Sequence, residues 1–191
     1  MMIQVIARII SVVFHPLAVI MAFAMIYITT IYDHEMAILV MSLFGFIAVL
    51  PIVIYNSIQL VRGKISNFDL SNQQERNKSY PLLLLILIVL VLSAIWMNVP
   101  KNLILNLGVY AMMLIVFYFF RNYLKISLHA STSFFLTALI IADFGSLGLY
   151  AALVSVLVAF SRVILKRHTK MEVVIGGASG LLLGFLSCII R

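Results

Sequence analysis

Residues 173–190 read VVIGGASGLLLGFLSCII, eighteen consecutive positions without a charge. An α-helix rises about 1.5 Å per residue and a bilayer core is about 30 Å thick, so an uncharged run of this length reads as a membrane crossing. Within it Gly176, Gly180 and Gly184 recur at every fourth position. That spacing places them on one face of a helix, a strip of small residues on which a neighbouring helix can pack closely.

Working back from this run, similar apolar stretches fill the chain. Of its 191 residues 64% are apolar and only 10% are charged, with a mean hydropathy of +1.19; globular proteins average roughly 45–50% and about 25%. Polar breaks divide the sequence into crossings at about 16–32, 36–61, 81–98, 102–120, 128–143, 147–165 and 172–190. The expectation is an all-α, polytopic transmembrane bundle of six to seven helices, a single domain over residues 1–191 with no soluble domain. Gln4, Arg8, Ser11 and His15 lie three or four positions apart, a polar stripe that suits an interfacial helix leading into the crossing from Pro16. The Ala22-Phe23-Ala24 triplet is similar to a signal-peptidase site, but the apolar run continues past it and is read as a retained crossing. The lone Cys188 sits in an apolar run as a small hydrophobe.

Charge gives the bundle a polarity. If every stretch crosses fully, the N-terminus and the 62–80, 121–129 and 162–171 segments emerge on one face, bringing 11 of the 13 Lys and Arg residues with them. The positive-inside rule alone accounts for such a bias. A clustered basic field also draws in anionic lipid, and the same charges serve both ends.

The third of those segments, SRVILKRHTKME at 161–172, concentrates the chemistry of the chain. His168 and Glu172 stand four apart, so on a helix the carboxylate can accept a hydrogen bond from one ring nitrogen. The other nitrogen is then left to act, as a histidine nucleophile requires. Arg162 lies six residues earlier and converges on the same place only if the chain bends between them. In KISLH at 125–129, Lys125 and His129 repeat the four-residue spacing at the start of a crossing, and a second histidine there can serve as general acid. His15 has two readings: if the first crossing begins near Pro16 it lies on the same face as these segments, otherwise it is a buried polar group beside a proline kink, and no catalytic role is assigned to it.

These residues resemble the type-2 phosphatidic acid phosphatase superfamily, whose third motif runs Ser-Arg, five residues, His, three residues, Asp. Ser161, Arg162 and His168 match, with Glu172 in the place of Asp. The family's Pro-Ser-Gly-His motif is met only by Ser127 and His129, without the Pro or Gly. Its Lys, six residues, Arg-Pro motif is met only by Arg76 and Lys78 ahead of Pro81. Short bacterial members are similar in layout, with an early aromatic-His-Pro, here Phe14, His15 and Pro16.

The resemblance implies a multi-pass lipid phosphatase of the cell membrane working through a phosphohistidine. His168 would attack phosphorus, Glu172 would orient it and His129 would protonate the leaving group. Arg162, Arg76, Lys78, Lys125 and Ser127 would hold the phosphate. No metal or other cofactor is expected, the carboxylates being few and scattered. The expected partners are a lipid phosphate substrate and membrane lipids, with no nucleic acid, and homo-oligomers are possible. Two alternatives stand beside this: a non-catalytic lipid-binding relative, and a magnesium-dependent prenyltransferase using Asp69 and Glu75 of the 62–80 segment.

Overall fold

The computed structural model describes residues 2–68, 70 and 72–190. Among the described residues it is all-helical: α1 (Met2–Val13), α2 (Pro16–Ile31), α3 (His34–Leu43), a π-helical turn (Phe44–Val49), α4 (Leu50–Val61), α5 (Gln73–Trp96), α6 (Lys101–Phe120), α7 (Leu128–Phe144), α8 (Leu147–Ile164) and α9 (Lys170–Ile190). Five continuous helical stretches are long and apolar enough to cross a membrane: 34–61, α5, α6, α8 and α9. Shorter apolar helices occupy Leu17–Ile31 and α7. The bundle expected from hydropathy is therefore present. Large apolar side chains point outward throughout, Leu182 and Ile189 of α9 among them at 71% and 78% exposure, as a surface in contact with lipid tails requires.

Local chemistry sets the helix ends. Asp33 caps α3 by accepting from the Met36 amide at 2.8 Å, and Asn72 caps α5 by accepting from Gln74 at 2.8 Å. The second cap moves the start of α5 to Gln73, well before the expected Pro81, and shortens the polar loop accordingly. The 34–61 helix loosens at its π turn, where the Leu50 amide reaches back to Gly45. Pro51 follows at the start of α4, where its missing N–H costs least.

Three helices end in the same device. Beyond α4, α5 and α8 one residue takes a left-handed conformation, and two amides turn back onto the last-turn carbonyls. After α4 the residue is Gly63 (φ 65°), with Gly63 bonded to Leu60 and Lys64 to Gln59. After α5 it is Asn98 (φ 54°), with Asn98 bonded to Ile95 and Val99 to Ala94. After α8 it is Lys166 (φ 54°), with Lys166 bonded to Val163 and Arg167 to Arg162. Gly and Asn tolerate this backbone, whereas Lys at the third is strained.

The contacts gather into two units. One comprises residues 1–20 and 119–191, the other 21–118. In the second unit α3, the π turn, α4 and α5 pack together, and Tyr80 of α5 meets Tyr118 of α6 edge to face at 6.0 Å. In the first, α7 is the central helix, packed on α8 and above all on α9, while α1 lies against α8. The glycine strip makes the α7–α9 contact. A Cβ on Gly176 would stand 2.8 Å from the Ser127 carbonyl oxygen, and one on Gly184 would stand 2.7 Å from that of Phe135. A Cβ on Gly180 would collide outright with the Ser131 carbonyl. Between α7 and α8, the buried hydroxyls of Thr137 and Ser155 hydrogen-bond at 2.8 Å.

Two substitutions test this account. Gly180→Ala forces α9 off the α7 backbone and is expected to destabilise the protein by about 1–3 kcal/mol. Gly108→Ala of α6, which meets nothing within 4 Å, is expected to be neutral or stabilising by up to about 1 kcal/mol. Unfolding of the purified protein in detergent measures both. Lys166→Gly relieves the left-handed strain after α8 and is expected to raise stability by about 1 kcal/mol in the same assay.

Candidate functional site

The candidate residues of the first unit come from two chain segments, and the helix ends explain how they meet. After α8 the turn at Lys166 throws the chain back, so that the Arg167 and His168 amides both bond to the Arg162 carbonyl, at 3.0 and 3.3 Å. The turn brings the His168 backbone back to the last turn of α8. Next comes Thr169, which begins a reciprocal cap for α9. The Thr169 amide donates to Glu172 Oε2 at 2.9 Å, and the Glu172 amide donates to Thr169 Oγ1 at 3.2 Å. T-x-x-E ahead of an apolar run is legible in the sequence as this motif, and it gives Glu172 a structural purpose. A glutamate has the length to reach back to the cap amide, so the cap alone is reason enough for Glu at a position where Asp is expected.

His168 thus stands just outside α9 and does not share a helical face with Glu172. The two still meet, His168 Nδ1 lying 3.2 Å from Glu172 Oε2. The same nitrogen lies 3.0 Å from the Lys125 carbonyl oxygen. Both neighbours only accept, so Nδ1 carries the proton and Nε2 is the acceptor nitrogen of the neutral ring. The ring is enclosed, its side chain 4% exposed, while Glu172 is 16% exposed.

Lys125 brings the second segment in. Its ammonium donates to the Arg167 carbonyl at 2.9 Å while its own carbonyl holds His168. Two residues on, the Ser127 amide donates to the Glu172 carbonyl at 3.3 Å, and Ser127 Oγ caps α7 by accepting from Ala130 at 3.4 Å. Lys125 and Ser127, expected to hold phosphate, therefore tie the two segments together. His129 follows in the first turn of α7 and is buried. Arg162, in the last turn of α8, is 1% exposed, and a cation there is favoured by the helix dipole.

The residue that sequence reasoning left without a role is His15. Its ring meets that of His129 edge to face, with centroids 5.2 Å apart and planes at 85°. Burial first, and the charge of Arg162 second, push its pKa down from 6.5 to about 4. The Phe14-His15-Pro16 break between α1 and α2 was the available clue, since proline ends the preceding helix and leaves the histidine at a corner.

Arg76 and Lys78 belong to the second unit. Arg76 is buried, donating to Gln73 Oε1 at 2.8 Å with its guanidinium 5.8 Å from the Tyr80 ring centroid, whereas Lys78 is exposed. Glu75 closes the preceding loop by accepting from the Ser66 amide and hydroxyl, each at 3.1 Å. Asp69, its expected companion in a magnesium loop, lies outside the described residues, as do the side chains of Arg8 and Ser11. Among the described residues no three His, Cys, Asp or Glu gather as a metal site. No family model matches the chain, and comparison with curated proteins and with solved structures likewise yields no match.

The environment of His15 has a measurable consequence. Its folded pKa lies below its unfolded one, so between pH 6.5 and about 4 the unfolded chain takes up a proton that the folded chain refuses. Stability is full above that window and falls as pH drops through it. Thermal unfolding in detergent across this range is expected to show the loss, and His15→Asn is expected to flatten it.

Proposed function

We propose that this chain is a multi-pass phosphatase of the cell membrane, hydrolysing a phosphate monoester or pyrophosphate on a lipid, with His168 as the nucleophile. The observation that carries this reading is the fixed tautomer of His168. Its Nδ1 is turned to two acceptors, the Lys125 carbonyl and Glu172, which commits Nε2 to attack. The same unit also contains a second buried histidine, His129, and the buried guanidinium of Arg162. Phosphoryl transfer asks chiefly for such positioning and for cations on the non-bridging oxygens.

In the proposed reaction Nε2 of His168 attacks phosphorus, forming the N–P bond as the P–O bond to the lipid breaks. The departing oxygen takes a proton from His129. A water then attacks the phosphohistidine and gives its proton to His129, and inorganic phosphate leaves with both histidines restored. Glu172 holds the Nδ1 proton and supports the positive charge that builds on the ring, as an orienting carboxylate does. Arg162 supplies the charge for the phosphoryl oxygens, and Lys125 holds the two segments in register. The resemblance of SRVILKRHTKME to the third motif of the type-2 phosphatidic acid phosphatases supports the same assignment. The capping role of Glu172 favours a second reading, a lipid-phosphate-binding protein without turnover, because the cap accounts for this carboxylate without chemistry.

Phosphate release by the purified protein from phosphatidate, phosphatidylglycerophosphate and a polyprenyl diphosphate, with a chelator present, decides between them. Wild type is expected to release phosphate from at least one of these, and His168→Ala to fall to background. Equal release by both, or none by either, removes the phosphatase. Glu172→Gln preserves a glutamine that can still cap α9 while losing the charge, so it is expected to keep its thermal stability and lose at least about tenfold in kcat.

A further inference from the structure

The corner between α1 and α2 adds a residue to this site that neither histidine segment contains. Pro16 has no N–H and disfavours a helical backbone at the residue before it, so α1 stops at Val13 and His15 is held outside both helices. The Leu17 amide then donates to His15 Nδ1 at 3.3 Å. That bond fixes the ring: Nδ1 accepts, and in the neutral form the proton sits on Nε2. From this corner the ring reaches His129, 114 positions away in the chain, with centroids 5.2 Å apart and planes at 85°. Edge-to-face contact is a favoured geometry for π rings and directs one ring by the plane of the other.

We propose that His15 is a positioning residue of the same site, its anchored ring setting the orientation of His129. The inference rests on the proposed function, in which His129 passes the proton to and from the leaving oxygen. A proton donor must be aimed to within hydrogen-bond reach of its target, and the buried ring of His129 has the ring of His15 against it. His15 is suited to this because it stays neutral beside Arg162. A neutral ring can contact His129 without repulsion whether His129 is charged or not, which a general acid that also acts as base demands. Of the charged groups, Arg162 on α8 acts on His15, and it stays in place in the variants below.

His15 also serves the backbone through Leu17, and two variants separate the two services. His15→Asn keeps a side-chain acceptor for the Leu17 amide and removes the ring. His15→Phe keeps a ring against His129 and removes the acceptor. The measurements are the pH profile of kcat/KM for phosphate release and, independently of any activity, the ring 15N shifts of the histidines in detergent micelles. If the ring orients His129, His15→Asn lowers kcat about tenfold or more with little change in KM, and it shifts both the basic limb of the profile and the His129 ring titration by about half a pH unit or more. His15→Phe then loses less than His15→Asn on each measure. The reverse order, or a His129 titration unmoved in both variants, overturns the proposal and leaves His15 as a helix cap.

The wild-type protein supplies a check that needs no variant to fold. His15 must remain neutral, protonated on Nε2, down to about pH 5, with ring-to-ring NOEs to His129; titration of His15 near 6.5 overturns the proposal. If no lipid phosphate is hydrolysed, the phosphatase reading fails by itself, and the 15N and NOE data still decide whether the two rings are paired.

Discussion

The α9 glycine strip pressed on the α7 backbone is the constraint on which the first unit depends. Between lipid-facing helices there is little hydrophobic force to gain, since the tails are as apolar as the side chains, and association rests on close packing and hydrogen bonds. At Gly176, Gly180 and Gly184 a single added carbon would meet a carbonyl oxygen of α7, so the two helices touch backbone to backbone. Contact that close sets the axial register as well as the distance. It sets the start of α7 beside the second turn of α9, and the Ser127–Glu172 backbone bond is compatible with that register.

With the start of α7 held against the first turns of α9, the segments leading into them share space. Lys125 resolves the crowding by using both ends of itself, its ammonium on the Arg167 carbonyl and its carbonyl on His168. Glu172 is used twice as well, for the cap of α9 and for the histidine. The strained turn at Lys166 is what allows the chain to double back from Arg162 to His168 within six residues. A glycine there would relax the backbone. The residues that shape this corner of the protein are thus the ones to which the proposed chemistry is assigned, and a substitution at any of them has to be judged by stability and by turnover separately.

Much of this was legible in the residues. Uncharged runs of crossing length located the apolar helices, because length and hydropathy are properties of a segment alone. The fourfold glycine spacing announced a close-packing face, and the His168–Glu172 spacing announced their contact, although that contact is made at a helix cap instead of along a helical face. The start of α5 was missed because Pro81 looked like a boundary, when Asn72 already caps the helix and a membrane helix carries Pro81 in its interior. That Lys125 and Ser127 hold phosphate is what the resemblance implies. Only the folded chain reveals that a carbonyl of the neighbouring segment and a helix cap engage them.

The amino-acid sequence by itself determined the class of the protein, the placement of its helices and the faces they offer, since each of these follows from the solvation and geometry of a continuous stretch. It did not determine which faces meet. The Lys125–His168 contact joins positions 43 residues apart, and the pairing of His15 with His129 joins positions 114 residues apart. Periodicity reports the angle of a side chain about its own helix and carries no information about the neighbour across the gap. Tertiary packing decided that, by closing α9 on α7 and by standing His15 at the proline corner against the ring of His129.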